Sequence, residues 1–154
     1  MAQRIIAGLE ELHGLKGQEV AVGDWFTLDQ SRINAFAEVS EDRQWIHVDT
    51  ERAQTELPQG KTIAHGFLTL SLLSLLLKQA VAVKVEFKHG INYGFNRVRF
   101  PSPVPAGSQI RVRCTLVTVE EVANALQICW AVTMDVKDVS KPALVAEWLV
   151  WYYR

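Results

Sequence analysis

TIAHGFLTLSLLSLLL, residues 62–77, decides the fold of this 154-residue chain. From Gly66 to Leu77 eight of twelve residues are large and apolar: Phe67, Leu68, Leu70, Leu72, Leu73, Leu75, Leu76 and Leu77. A helix of that composition is expected to be buried on nearly all sides. It is too short for a bilayer, which needs roughly 20 apolar residues. His65 and Lys78-Gln79 bound it, and Ser71 and Ser74 interrupt it. A sheet wrapped around the helix satisfies the same residues better.

That sheet is legible downstream. Residues 91–100, 109–120, 125–136 and 143–153 are strand-length or longer and rich in β-branched and aromatic side chains. Ile110, Val112, Cys114 and Leu116 alternate with Gln109, Arg111, Arg113 and Thr115; Leu126, Ile128, Trp130, Val132 and Met134 alternate with Gln127, Cys129, Ala131 and Thr133. One face therefore meets the helix and the other is more polar. No helix separates these strands, and their connections are a proline-rich crossing and short polar turns, which predicts antiparallel pairing. The last segment, ALVAEWLVWYY, is apolar on both faces. It reads as an edge covered by a partner subunit or by the N-terminal helix, or as a strand buried inside the sheet.

Upstream, Ile5, Ile6, Leu9, Leu12 and Leu15 recur at helical spacing and predict an amphipathic helix over residues 2–15, with His13 solvated. Residues 17–28 read as a turn leading into a strand around Trp25 to Leu28. A second helix starts at an Asp29 or Ser31 cap and delivers Asp42 to its end. Asp49 caps a further short helix that Leu57-Pro58-Gln59-Gly60-Lys61 terminates. The fold class is α+β, with one domain over residues 1–154 and an N-terminal helix within residues 1–16.

Composition narrows the partners. Net charge is −1 with the charges scattered, so nothing calls for nucleic acid or an anionic membrane. A small molecule or a second copy of the chain is the expected partner. Cys114 and Cys129 lack metal-ligand spacing and read as inert reduced thiols. Glu10 and Glu11 interrupt the N-terminal apolar residues before a secretory segment can form, which makes the cytoplasm the expected compartment.

The residues able to do chemistry flank the apolar helix. In SEDRQWIHVD, residues 40–49, a carboxylate, Asp42, and an imidazole, His47, lie five apart where a helix gives way to loop. Both read either as solvated loop residues or as a proton-transfer pair that Trp45 and Ile46 partly desolvate. At the apolar helix's start, Gly66 either permits close packing or leaves the first-turn N–H groups open to a ligand carbonyl, with His65 beside it. Ser71 and Ser74 share a face, where a hydroxyl ordinarily bonds back to its own helix. His47, Asp49 and His65 have no zinc-motif spacing, and no metal is expected. No glycine-rich nucleotide loop is present.

The pattern SED, two residues later WIHVD, then TIAHGF and a leucine-serine helix resembles the MaoC-like (R)-specific enoyl-CoA hydratases, close to the branch that includes nodulation protein N. INYGFNRVRFPSPVPAGSQI resembles the strand and loop this family places after its central helix, and the likeness runs from about Gly17 to the C-terminus. It implies a hot-dog fold, a long helix wrapped by a curved antiparallel sheet and dimerised through sheet edges. It implies Asp42 and His47 as catalytic residues, with Gly66, His65 and Ser74 on the substrate or oxyanion side. The implied reaction is reversible hydration of trans-2-enoyl thioesters to (3R)-3-hydroxyacyl thioesters in a homodimer, without a cofactor, coenzyme A being part of the substrate. Thioester hydrolysis and a non-catalytic acyl-thioester binding or dimerisation subunit are the alternatives the fold also supports. Where the family often has glycine before the aspartate and asparagine-proline before the histidine, this chain has Glu41, Gln44 and Trp45.

Overall fold

The computed structural model describes residues 2–154, leaving Met1 outside the described residues. Its strands and helices follow one another as β1 (Arg4–Ile6), α1 (Leu9–Gly14), β2 (Glu19–Val22), β3 (Phe26–Leu28), α2 (Gln30–Ser40), α3 (Trp45–Val48), α4 (Thr50–Glu56), α5 (Gly66–Ser71), α6 (Leu73–Ala80), β4 (Val81–Val83), β5 (His89–Arg99), β6 (Ser108–Val122), β7 (Ala125–Val136) and β8 (Leu144–Tyr153).

The main sheet runs β2-β6-β7-β8-β5, with β3 also on β6, and all its pairings are antiparallel. The alternation in β6 places Ile110, Val112, Cys114 and Leu116 in the core, and β7 adds Leu126, Ile128, Trp130, Val132 and Met134. Against that face lie Leu68, Leu72, Leu73, Leu76 and Leu77 from α5 and α6. These two helices form one bent unit, joined at Leu72, whose carbonyl accepts from Leu76 N at 2.9 Å. The α+β hot-dog arrangement expected from the sequence is present. No helix among the described residues is long and apolar enough to cross a membrane.

Two expectations are corrected, and one open alternative is decided. The N-terminal helix is confined to Leu9–Gly14, because Arg4–Ile6 instead pairs in parallel with Val81–Val83. The adjacent β-branched pair Ile5-Ile6 suits a strand, and a partner strand emerging from α6 outweighs helical spacing. The apolar helix is also not buried on nearly all sides: Phe67 is 71% exposed, and Leu75 is exposed too. Finally, β8 is no edge, since it lies between β7 and β5, so internal burial explains its two apolar faces. The edge is β5, broken by two register shifts and presenting exposed Ile91, Tyr93 and Phe95.

Cys114 and Cys129 are buried free thiols. Burial pushes the Cys114 thiol up to about 11, so it is not a nucleophile at neutral pH.

Candidate active site

Asp42 owes its position to the end of α2. That helix is capped by Asp29, whose carboxylate accepts from Arg32 N at 2.9 Å, and it ends at Glu41 in the left-handed region, φ 60° and ψ 10°. Glycine is the usual residue at such a joint because a Cβ crowds the backbone there. Glu41 adopts the conformation anyway, and the chain turns so that Asp42 starts a short loop leading into α3.

His47 sits in that four-residue helix. Trp45 takes its first position, the place in a helix where proline is best tolerated, so the turn survives without proline. Gln44 precedes it without a capping bond from its side chain. The Trp45 ring lies under the Arg52 guanidinium, 3.9 Å from carbon to centroid. The expected desolvation holds for only one of the pair: His47 is buried at 6% exposure, whereas Asp42 is exposed.

Residues 62–64 lock the imidazole. Ile63 N donates to Ile46 O at 3.0 Å, and His47 Nδ1 meets Ile63 O at 2.6 Å. A carbonyl only accepts, so Nδ1 carries the proton and neutral His47 keeps its lone pair on Nε2. Gln30 Nε2 donates to His47 O at 2.8 Å, and Thr62 Oγ1 in turn donates to Gln30 Oε1. Burial holds the His47 pKa below the ordinary imidazole value, as does the neighbouring His65; the Ile63 carbonyl and Asp42 pull it back up. His47 is thus a base at neutral pH.

His65 lies beneath. Its ring stacks on His47 with centroids 3.7 Å apart and planes 23° from parallel, and Nε2 donates to the Asp42 main-chain carbonyl at 2.9 Å. One ring nitrogen of each histidine and one Asp42 carboxylate oxygen all lie within 4.8 Å of one another. Two acceptors can share one water when they lie no more than about 5.6 Å apart, a limit this spacing satisfies. The ring orientation, rather than the spacing, argues against a shared metal ion. Imidazole ligates in its ring plane, and two rings stacked face to face cannot both aim at one ion. Asp49, grouped with these histidines by sequence, caps α4 through Arg52 N instead.

A cleft of about 320 Å³ opens here, lined by His47, Ile63, Gly66, Thr69, Phe100 and Ser102 among others. Gly66 begins α5, which has neither a side-chain cap nor an acidic residue in its first turn; Leu68 N donates to His65 O at 3.1 Å, which leaves the N–H groups of Gly66 and Phe67 for a ligand. A Cβ on Gly66 would stand 3.3 Å from the Phe100 ring, so the glycine also permits close packing. Thr69 and Ser71 bond back to Gly66 O and Leu68 O. Ser74 does not line this cleft. It lies further along the helix with Asn92 and Trp148, facing β5 and β8.

Of the residues singled out from sequence, His47 and Gly66 line one cleft, Asp42 and His65 lie beside His47, and Ser74 lies elsewhere. The supports were not legible in the sequence: Ile63 acts through its carbonyl, and Gln30 and Thr62 meet across 32 residues. The one available signal was polarity within an apolar context, since Thr62 and His65 are both buried.

Comparison with known proteins places the chain among relatives. The MaoC like domain family matches residues 12–138. The chain is 46% identical over 150 residues to 3-hydroxyacyl-thioester dehydratase Z of Mycobacterium tuberculosis, covering 97% of this chain and 98% of that protein. It is 44% identical over 142 residues to nodulation protein N of Rhizobium meliloti, covering 92% and 88% respectively. Among solved structures it resembles an (R)-hydratase from A. caviae involved in PHA biosynthesis, with a TM-score of 0.61, 25% identity and coverage of 84% of this chain and 94% of that one.

Proposed function

This chain belongs to the MaoC-like dehydratase family and is accordingly a hydro-lyase, and from that premise we propose that it adds water reversibly to trans-2-enoyl thioesters, giving (3R)-3-hydroxyacyl thioesters. The observation that carries the reading is the contact of His47 Nδ1 with the Ile63 carbonyl. With Nδ1 tied to Ile63 O, the basic Nε2 is left for a water, and an Asp42 carboxylate oxygen lies within 4.8 Å of a His47 ring nitrogen.

In the hydration direction, Asp42 accepts one O–H of the water and His47 Nε2 takes the other proton as the oxygen bonds to C3. The C2=C3 electron pair moves toward the thioester carbonyl, and the Gly66 N–H stabilises the enolate-like oxygen. The Asp42–His47 pair then delivers a proton to C2, which restores both groups. The thioester is the electron sink, so no redox group or other cofactor enters the balance. Coenzyme A or an acyl carrier belongs to the substrate. Ser74 stands outside this cleft and takes no part in these steps.

The protein acts as a homodimer. Phe67, Leu75, Ile91, Tyr93 and Phe95 leave exposed apolar surface on the helix and on the edge strand β5, and an open edge of that kind favours pairing with a second copy.

Incubation with crotonyl-CoA and longer enoyl-CoAs tests the reading. Loss of the conjugated enoyl absorbance with formation of the (3R)-3-hydroxyacyl product is expected. Release of free coenzyme A without a hydroxyacyl product would make the chain a thioesterase. No turnover across the series would make it a binding subunit.

A further inference from the structure

We infer that His65 is a positioning residue for the hydration step, holding Asp42 and His47 in register from below without touching substrate. The inference rests on the reading of Asp42 and His47 as the acid–base pair.

Asp42 needs an external tie. It follows a left-handed joint at Glu41, its side chain is exposed, and its local bonds are long: its N–H to Ser40 Oγ at 3.3 Å and Gln44 N to its Oδ1 at 3.4 Å. The bond from His65 Nε2 to its carbonyl, at 2.9 Å and across 23 residues, fixes this loop to the start of α5. The same ring forms the floor under His47. One side chain therefore references both members of the pair, and the N-terminus of α5, to a single point.

Stability alone does not account for a histidine here. The residue is only 2% exposed and Phe36 packs against it at 4.9 Å, surroundings that favour an apolar side chain. Its Nδ1 is buried with no partner, and leaving a polar atom unpaired is unfavourable. What an apolar residue would not supply is the Nε2–H bond to Asp42. The titratable groups facing the ring are His47, from α3, and Asp42, from the loop after α2; α2 itself contributes the apolar Phe36 ring.

The test compares His65→Leu with His65→Gln in steady-state hydration of crotonyl-CoA. Leucine fills the space but cannot donate, so kcat should fall at least about tenfold, as misplacement of a catalytic group does, with KM nearly unchanged. Glutamine carries an amide donor and should recover part of kcat. In both variants the acid limb of kcat/KM should move to higher pH, because a neighbour that holds the His47 pKa down is gone. Parental kcat with an unmoved limb in His65→Leu would overturn the inference, as would a rise in KM matching the loss of kcat. Asp42→Asn measured alongside separates the two readings: if it too keeps the parental rate, the acid–base pair is wrong, and if it is inactive while His65→Leu is not, only the positioning role fails. Should neither variant fold, long-range ¹⁵N NMR of the wild-type imidazoles decides. Proton on Nε2 of His65 and on Nδ1 of His47 supports the role, and proton on Nδ1 of His65 rules it out.

Discussion

Replacing Glu41 by glycine should make the protein more stable while leaving its chemistry intact. Glu41 stands at φ 60°, ψ 10°, where a side chain costs about 1–2 kcal/mol relative to glycine. Its carboxylate is exposed at the C-terminal end of α2, where the helix dipole disfavours negative charge by a further ~0.3 kcal/mol. Among the described residues it makes no side-chain hydrogen bond or ion pair, so no contact in the folded state offsets these terms. Against them stands the larger entropy that glycine gives the unfolded chain, about 0.4–1 kcal/mol. The net gain is about 1 kcal/mol. For a chain of this length the unfolding entropy is about 0.3 kcal/mol/K, so Tm should rise by roughly 3 °C. Thermal unfolding of both proteins at equal protomer concentration measures this, because association shifts Tm by mass action. With His65 holding the loop, kcat on crotonyl-CoA should stay within about twofold of parental. An unchanged or lowered Tm would mean that the left-handed joint is not strained. A large loss of kcat at raised Tm would mean that the stiffness of Glu41, rather than His65, aims Asp42.

Asp42→Asn or His47→Gln should lower kcat by about 10²-fold or more, and the double replacement should cost little beyond the worse single one, since both act on one water; parental rates from either folded variant would refute the pair. Because the folded His47 pKa lies below the unfolded value of about 6.5, the native state binds fewer protons between the two. Its contribution to stability is therefore complete above about pH 6.5 and is lost as pH falls through the folded value, and kcat/KM should decline on the same side; an acid limb at or above pH 7 would contradict the assignment. Gly66→Val should reduce turnover sharply, its Cβ crowding the Phe100 ring and its methyls intruding beside the first-turn N–H groups; unchanged turnover would place the thioester oxygen elsewhere. Phe67→Lys should shift sedimentation from dimer toward monomer, and a variant that remains wholly dimeric would move the interface off this helix face.

The sequence by itself determined the architecture, because the signals were local and repeated. Period-two alternation in β6 and β7 could be satisfied only by a sheet with one buried face, and Leu68, Leu72, Leu73, Leu76 and Leu77 supply the apolar helix face that covers it. Asp42, His47 and Gly66 could be singled out because a carboxylate, an imidazole and a glycine lie close together in the chain, just before and at the start of one apolar helix. Tertiary structure decided the rest, for one recurring reason: main-chain groups and distant partners have no signature in a string of side chains. The strand at Ile5-Ile6 exists because α6 ends in a matching strand, and β8 became internal because β5 took the edge. The His47 tautomer is set by the Ile63 carbonyl and the Asp42 loop by the His65 ring, two contacts across 16 and 23 residues that only the folded chain brings within hydrogen-bonding distance.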